Sequence, residues 1–389
     1  MKSTPMRIIH TADVHLDRCF TGAGMSSHFG NRRRQSLRDV FQDIITRAKE
    51  WPADILLIAG DLFEHERVTR DLVAFLATQF ASIPNTLVFI APGNHDPCLP
   101  DSPYLTESWP ENVHVFCTPD WETVEVNNGE AFVHGFGFDS PYISQNPFGH
   151  LLIPEETKHA IHVAVAHGSE RSHQPPDKED YAPFTAQDAA VPGLDYLALG
   201  HFHRLQEIKG NFDTKVNYSG SPEGLSFKES GMHHFLEIEF DDSGTKVTPK
   251  ASSRMVYIDE AIACDELKSS HEVIEAIRAL AKSVDARPIG RITLTGSCEA
   301  SIQNETGLVY DAAAIEYEYL NLIDETAPVE DYDELAREDT SLGALVSTLN
   351  QEIPEAQDEA RAEMLRLARK LGVAAFRNRN VEIHGLERG

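Results

Sequence analysis

Five separate apolar runs in this chain each stop at a short loop of carboxylate, imidazole or amide side chains, and this recurrence constrains the fold more than any other feature. Arg7-Ile8-Ile9 runs into Asp13-Val14-His15, and Asp54 to Ala59 runs into Gly60-Asp61. Thr86 to Ile90 passes through Ala91-Pro92 to Gly93-Asn94-His95-Asp96. Ile161 to Ala166 ends on His167-Gly168, and Tyr196 to Leu199 ends on Gly200-His201-Phe202-His203. Short runs of apolar, β-branched and aromatic residues closed by Pro or Gly read as buried strands. Open α/β sheets gather their sites at the carboxyl ends of their strands, whereas chance would scatter such residues along them. Any one of these histidines alone reads as readily as a core or loop residue. The coincidence of five is what carries weight.

The collected donors fit one chemistry. Two divalent cations about 3.5–4 Å apart polarise a phosphoryl oxygen and generate a hydroxide nucleophile. Such a pair needs several protein ligands, at least one of them a carboxylate able to bridge. Asp13, His15, Asp61, Asn94, His167, His201 and His203 are the candidates, and their mixture of imidazole, carboxylate and amide oxygen suits manganese, iron or zinc. Asp13 and His15, like His201 and His203, are one residue apart, so in extended geometry both side chains of a pair leave the same side of the backbone. By the same alternation His95 points away from Asn94 and is free to meet a substrate.

Composition sets outer limits. A chain of 389 residues is expected to form two or three domains. Its 41% hydrophobic and 25% charged content is ordinary for a globular protein. No apolar stretch approaches the roughly 20 residues of a membrane-spanning helix. Met1-Lys2-Ser3-Thr4-Pro5 leads straight into a strand without a signal peptide's apolar region, which predicts a cytoplasmic protein. The five cysteines are odd in number and scattered, which predicts reduced thiols rather than a disulfide frame or a zinc site. The formal charge of −28 argues against a broad nucleic-acid-binding face. Residues 301–340 concentrate that charge, with twelve acids against Arg337. Arg32, Arg33, Arg34 and Arg38 form the opposite cluster, which reads as a solvated helix start, with a phosphate track as its alternative.

Residues 1–250 read as one α/β domain, with helices from about Arg33 to Trp51 and over Val68 to Phe80. From Val113 the pattern changes to short strands, and Asp241-Asp242-Ser243-Gly244 reads as a closing turn. His10, His134 and His162 lie inside strands and read as core histidines. Residues 251–325 form a β-α-β-β pattern, with strands at 255–258, 291–295 and 315–319, expected to be a small α+β domain. Residues 326–389 read as an acidic linker and a helical tail. Its last helix, Pro354 to Leu371, has proline first, acids early, bases late and Gly372 after its end. Its apolar face of Ala360, Met364, Leu367, Ala368 and Leu371 either packs on its own domain or docks a partner's coiled coil.

Taken in order, these motifs resemble the calcineurin-like metallophosphoesterases, whose signature runs D-x-H, G-D, G-N-H-[DE], H and G-H-x-H; the resemblance covers about residues 1–205. It implies an α/β sandwich of two mixed β-sheets flanked by helices, here with a small α+β capping domain and a helical tail. Within that superfamily the chain resembles the DNA double-strand-break repair exonucleases, the family of the SbcD nuclease subunit. His10 to Leu16 is similar to that family's opening, and Tyr218-Ser219-Gly220-Ser221-Pro222 with Ser226-Phe227 to its strand after the last histidine pair. The small domain stands where that family has its capping domain.

The resemblance implies that Asp61 bridges two divalent ions, manganese first with iron or zinc as alternatives. Asp13, His15 and His203 would hold one ion, and Asn94, His167 and His201 the other. His95 would approach the scissile phosphate, with Asp96 orienting it. DNA and an SbcC-like ATPase subunit are the implied partners, a homodimer stays open, and no membrane is expected. Some relatives carry a histidine three residues after the bridging aspartate, where this chain has Glu64 followed by His65. The expected function is a metal-dependent DNA repair nuclease acting with an ATPase. A phosphoesterase for small or protein substrates, and a non-catalytic scaffold subunit of an ATPase complex, are the alternatives.

Overall fold

The computed structural model describes residues 5–20, 26–173, 179–242 and 244–377. By internal contacts the chain divides into two units: Met1–Ala261 with Ile274–Thr293 and Tyr310–Ile323, and Ile262–Val273 with Leu294–Val309 and Asp324–Gly389. In chain order the first unit begins β1 (Met6–Thr11), α1 (Ser27–Glu50), β2 (Ile55–Ile58), α2 (Arg70–Ala81), β3 (Leu87–Ile90), α3 (Pro103–Thr106) and β4 (Val113–Val115). It continues with β5 (Glu122–Val126), β6 (Ala131–Phe136), β7 (Ile161–His167), β8 (Tyr196–Gly200), β9 (Gln206–Ile208), β10 (Lys215–Tyr218), β11 (His234–Asp241), β12 (Gly244–Ala251) and β13 (Met255–Ala263).

Two six-stranded mixed sheets result, β12-β11-β1-β2-β3-β4 and β5-β6-β7-β8-β10-β9. Alternation along each strand decides which layer a residue joins. Ile8, Ile55, Leu57 and Phe89 face Val133, Val163, Val165, Tyr196 and Ala198 between the two sheets. Their neighbours Ile9, Leu56, Ile58, Val88 and Ile90 face outward onto Leu37, Phe41 and Ile44 of α1 and Leu72, Leu76 and Phe80 of α2. Loops carrying Phe138, Phe148 and Phe184 cover the outer face of the second sheet. The sandwich expected from the motifs is therefore the one observed.

Several local expectations are corrected. α1 starts six residues before Arg33, because the Ser26 hydroxyl accepts from the Phe29 amide and caps it. Arg33 is neither a solvated side chain nor a phosphate contact: it is fully buried and paired with the buried Glu223. Asp241 and Gly244 pair across the expected turn, but the chain does not close there: it returns as β12, bonded to β11 over its whole length. The mostly polar face of β12, interrupted by Pro249, hides the strand signal. The strand expected at 315–319 is displaced to β16 (Tyr319–Asp324), after α4 (Ser270–Lys282), β14 (Arg287–Thr295), β15 (Ser297–Cys298), α5 (Ala300–Asn304) and α6 (Thr306–Ala314). Ile315 is 79% exposed, and Tyr317 is fixed instead by its hydroxyl donating to the Ile277 carbonyl. β13, β14 and β16 form a three-stranded sheet. Cys98 and Cys117, expected as free thiols, are joined as a disulfide, because the loop after β3 returns to the end of the neighbouring β4. Cys19, Cys264 and Cys298 are free.

Residues 326–339, read as linker, carry β17 (Ala327–Pro328), parallel to β15, and α7 (Tyr332–Leu335). α8 (Ser341–Glu352) and α9 (Glu359–Phe376) follow, with Leu335, Val346 and Val373 packed together. α9 starts later and ends later than its composition predicts. The Asp358 carboxylate caps it by accepting from the Arg361 amide at 2.8 Å. Gly372 lies inside it, because a Cβ there would stand 2.5 Å from a Leu345 methyl on α8. Its buried face is Ala362, Leu365, Val373 and Ala374, and Met364 is exposed. No helix among the described residues is long and apolar enough to cross a membrane.

Candidate metal centre

Parallel pairing of β1 with β2, β2 with β3, and β7 with β8 brings their carboxyl ends together. The loops there are tied to one another through the backbone. The Asp13 amide donates to the Gly60 carbonyl at 3.0 Å, and the His15 amide to the Asp61 carbonyl at 2.9 Å. The convergence of Asp13 with His15 does not arise from extended backbone. Asp13, His15 and Asp61 have φ values of 52°, 48° and 53°, and His201 has 113°. Non-glycine residues in this region are strained and persist where the surroundings over-determine them, commonly at functional sites. Glycine is required at two neighbouring positions. A Cβ on Gly60, whose φ is 84°, would stand 2.4 Å from the His167 ring, and one on Gly93 2.4 Å from an Asp61 oxygen.

Asp61 Oδ2 lies 3.7 Å from His15 Nε2 and 3.5 Å from His167 Nε2, between the two histidines. His203 Nε2 stands 3.3 Å from His15 Nε2 and 3.9 Å from Asp13 Oδ1. Asn94 Oδ1 is 3.0 Å from His167 Nε2, and the His201 ring lies edge-on to His167 at 5.2 Å between centroids. Asp13, His15 and His203 form one cluster able to hold a cation, and Asp13, Asp61 and His167 another. All seven predicted donors are thus gathered at one end of the sandwich.

The outer nitrogens of three rings are bound elsewhere. His15 Nδ1 faces Glu64 at 2.9 Å, His167 Nδ1 the Ala59 carbonyl at 2.9 Å, and His203 Nδ1 Glu229 at 3.1 Å. These acceptors hold the Nδ1 protons and leave each Nε2 lone pair for a cation, the arrangement metal-ligating histidines normally have. The donor set therefore fits a pair of divalent ions.

The electrostatics of Asp61 and His201 agree with that fit. Burial disfavours the charged form of Asp61, but His167, His15 and His95 outweigh it and hold its carboxyl down to about 2. Burial pushes the His201 imidazole down to about 3, with His167 adding to the effect, so it stays neutral as a ligand must. The hydrogen bond that the His95 ring donates to Glu64 raises its imidazole to about 9.

Asp96 does not aim His95. Its Oδ1 accepts from the amides of Asp61 and Gly93, and its Oδ2 from the Leu62 amide and the Tyr104 hydroxyl, all between 2.7 and 2.9 Å. It pins the Asp61 and Asn94 loops together, and as an acceptor of backbone amides it has no oxygen free for the ring. Glu64 makes the contact expected of Asp96, at 2.9 Å from His95 Nδ1. The sequence marked Glu64 only as a departure from relatives. Nothing in Phe227-Lys228-Glu229 signals that Glu229 meets a distant histidine. The core histidines behave as expected: His10 contacts the Tyr196 hydroxyl and the Leu199 carbonyl, and His134 contacts His162.

The Tyr218–Pro222 segment braces the ligand loops. The Tyr218 hydroxyl donates to the Gly168 carbonyl at 2.7 Å, beside His167, and the Ser221 amide to the His203 carbonyl at 3.1 Å.

The calcineurin-like phosphoesterase family model matches residues 6–205, half of the chain and every predicted ligand. A Bacillus subtilis (strain 168) protein described as the uncharacterized metallophosphoesterase YhaO is 28% identical over 237 residues, covering 59% of this chain. The chain matches 56% of the length of that relative. Among solved structures, a dimetal phosphatase from Danio rerio aligns with a TM-score of 0.38 at 11% identity, covering 64% of this chain and all of that one. A purple acid phosphatase from yellow lupin (Lupinus luteus) aligns at 0.37 and 13%, covering 65% of this chain and 52% of that one. On that family match, which spans half of its length, this chain belongs to the calcineurin-like phosphoesterases.

Proposed function

We propose that this protein is a metal-dependent phosphodiesterase acting on DNA, a repair-type nuclease with manganese at its two cation positions and an ATPase as partner. When bound, the two cations supply a hydroxide nucleophile and polarise the phosphoryl group. Asp61 would bridge them; Asp13, His15 and His203 would hold one, and Asn94, His167 and His201 the other. His95 meets the substrate phosphate and donates its proton to the departing oxygen. Asp96 fixes the loop from which His95 projects.

The observation that carries this reading is the exposure of His95. Its side chain is 43% exposed, while those of Asp13, His15, Asp61 and His167 are at most 3% exposed. The acid of the site thus stands at the surface, where a phosphodiester within a polymer can reach it. The resemblance of the Tyr218–Pro222 segment to the repair exonucleases is what supports DNA over small or protein phosphoesters. With a charge of −28 the grip on a duplex rests on few contacts, so binding without a partner is weak and falls gently with salt.

The test is purified protein with manganese on linear duplex DNA beside bis(p-nitrophenyl) phosphate. Metal-dependent shortening of the duplex that disappears in His95→Gln supports the reading. Hydrolysis of the small ester with the duplex left intact would favour the small-substrate alternative.

A further inference from the structure

The single turn Phe227–Glu229 touches the cation site with its last residue and the strands β13 and β14 with its first. Ser226 opens the turn: its hydroxyl accepts from the Lys228 amide at 3.3 Å, and its carbonyl from the Glu229 amide at 2.9 Å. The two Glu229 oxygens then take different partners. Oε1 faces His203 Nδ1 at 3.1 Å, and Oε2 accepts from the Leu225 amide at 2.9 Å. The second bond folds the turn back on itself and fixes the carboxylate against the ring.

Phe227 is fixed from the other side. Its ring meets Tyr257 edge-on, with centroids 4.9 Å apart, and the Arg291 guanidinium lies 4.7 Å from its centroid. Tyr257 stands on β13 and Arg291 on β14. Arg291 is itself held by Asp259, whose carboxylate takes its Nε at 2.8 Å and its Nη2. Tyr257 reaches the same segment twice more: its hydroxyl donates to the Leu225 carbonyl at 3.4 Å, and its carbonyl accepts from the Gly231 amide at 3.0 Å. All of these residues belong to the first unit.

We infer that Glu229 is a positioning residue for His203 and that its own place is set, through Phe227, by β13 and β14. The cation position of Asp13, His15 and His203 then answers to that sheet. A displacement of Tyr257 or Arg291 carries Phe227 with it, and a turn of three residues is too short to absorb the movement before Glu229. A molecule that grips the sheet thereby changes the hold on a cation it does not touch. The inference rests on His203 being a cation ligand, as in the proposed function, and makes no use of DNA.

The test is a calorimetric titration of the metal-free full chain with manganese. Glutamine at position 229 has one accepting end, so it must release either the His203 ring or the Leu225 amide. Glu229→Gln should weaken one of the two binding events by about 10- to 100-fold, the usual effect of losing such a partner, and leave the other nearly unchanged. Phe227→Leu should weaken the same event by about 2- to 30-fold, the range of couplings carried through packed side chains. Arg291 is partly exposed, so Arg291→Gln, with the same expected loss, serves if Phe227→Leu fails to fold.

Combining either change with Glu229→Gln separates transmission from a merely structural role. The double variant should bind no more weakly than Glu229→Gln alone, because the route to the ring is already cut, whereas a structural role would add its own loss. Wild-type affinity in both Phe227→Leu and Arg291→Gln, or losses that add in the double variants, would overturn the coupling. His203→Gln checks the reading beneath it and should lose one of the two binding events. If it binds two manganese ions as tightly as the wild type, His203 is no ligand, and the proposed metal assignment falls together with this inference.

Discussion

Arg33→Met offers a sharp test of how the basic cluster on α1 is used. The guanidinium is fully buried, with Nη1 paired to Glu223 and Nη2 donating to the Gly224 carbonyl at 2.6 Å. It also sits 5.0 Å from the Phe20 ring centroid and 5.3 Å from that of Tyr257. Glu223 accepts in addition from the Ser36 hydroxyl at 2.7 Å and from the amides of Arg254 and Met255 at 3.0 and 3.3 Å. Methionine fills much of the same volume but leaves the carboxylate buried without its countercharge. Breaking a buried pair from one side costs about 3–5 kcal/mol. At about 2–4 °C per kcal/mol for a large domain, the melting temperature should fall by about 6–20 °C. Arg33→Met with Glu223→Gln should recover part of that loss, because the stranded charge is gone. The assays are calorimetry and the salt dependence of duplex binding. A residue touching phosphate would reduce the salt slope by about one when removed; Arg33→Met should leave it unchanged. A melting temperature within about a degree of wild type, together with a reduced slope, would refute the reasoning and restore the phosphate track.

Three further outcomes follow from the same structure. His95→Gln should retain its metals while turnover falls by about 10²–10⁴-fold, and metal loss on elemental analysis would make His95 a ligand instead. Gly93→Ala places a methyl against Asp61 and His167, so metal affinity should fall in a calorimetric titration; wild-type affinity would contradict the close approach. Burial holds the His134 imidazole down from 6.5 to about 4, with His162 adding to it, so the folded state prefers the neutral ring. The stability it lends is complete above about pH 6.5 and lost as pH falls toward about 4, amounting to about 3 kcal/mol. Urea midpoints of metal-free protein at pH 7 and 4.5 read this loss, which should shrink in His134→Gln; an identical loss in that variant would place the acid sensitivity elsewhere.

The ligand-bearing strands were legible in the sequence because each is short and buried on both faces, and four of the five are closed by Gly or Pro. That combination ties chain position to the carboxyl edge of a sheet, where the structure brings Asp13, His15, Asp61, Asn94, His167, His201 and His203 together. Backbone geometry was not legible: nothing in Asp13-Val14-His15 announces the positive φ values that turn both side chains inward. Contacts between distant loops were hidden for a related reason. Glu64, Glu229 and the Cys98–Cys117 pair act through tertiary proximity, and local composition carries no trace of it. β12 escaped because an edge strand facing mostly outward lacks the apolar run that marks a buried one. The end of α9 is not legible because a helix-stop glycine and a close-packing glycine look alike in sequence, and only the Leu345 side chain beside Gly372 tells them apart.

The claim that everything else depends on is a pair of cations bridged by Asp61. Elemental analysis of purified wild type and Asp61→Asn, after dialysis against manganese and removal of free ions, addresses it directly. A neutral amide cannot bridge two cations as a carboxylate does. The wild type should therefore hold two divalent ions per chain, and Asp61→Asn should hold no more than one. Two ions per chain in the variant, or none in the wild type, would contradict the account.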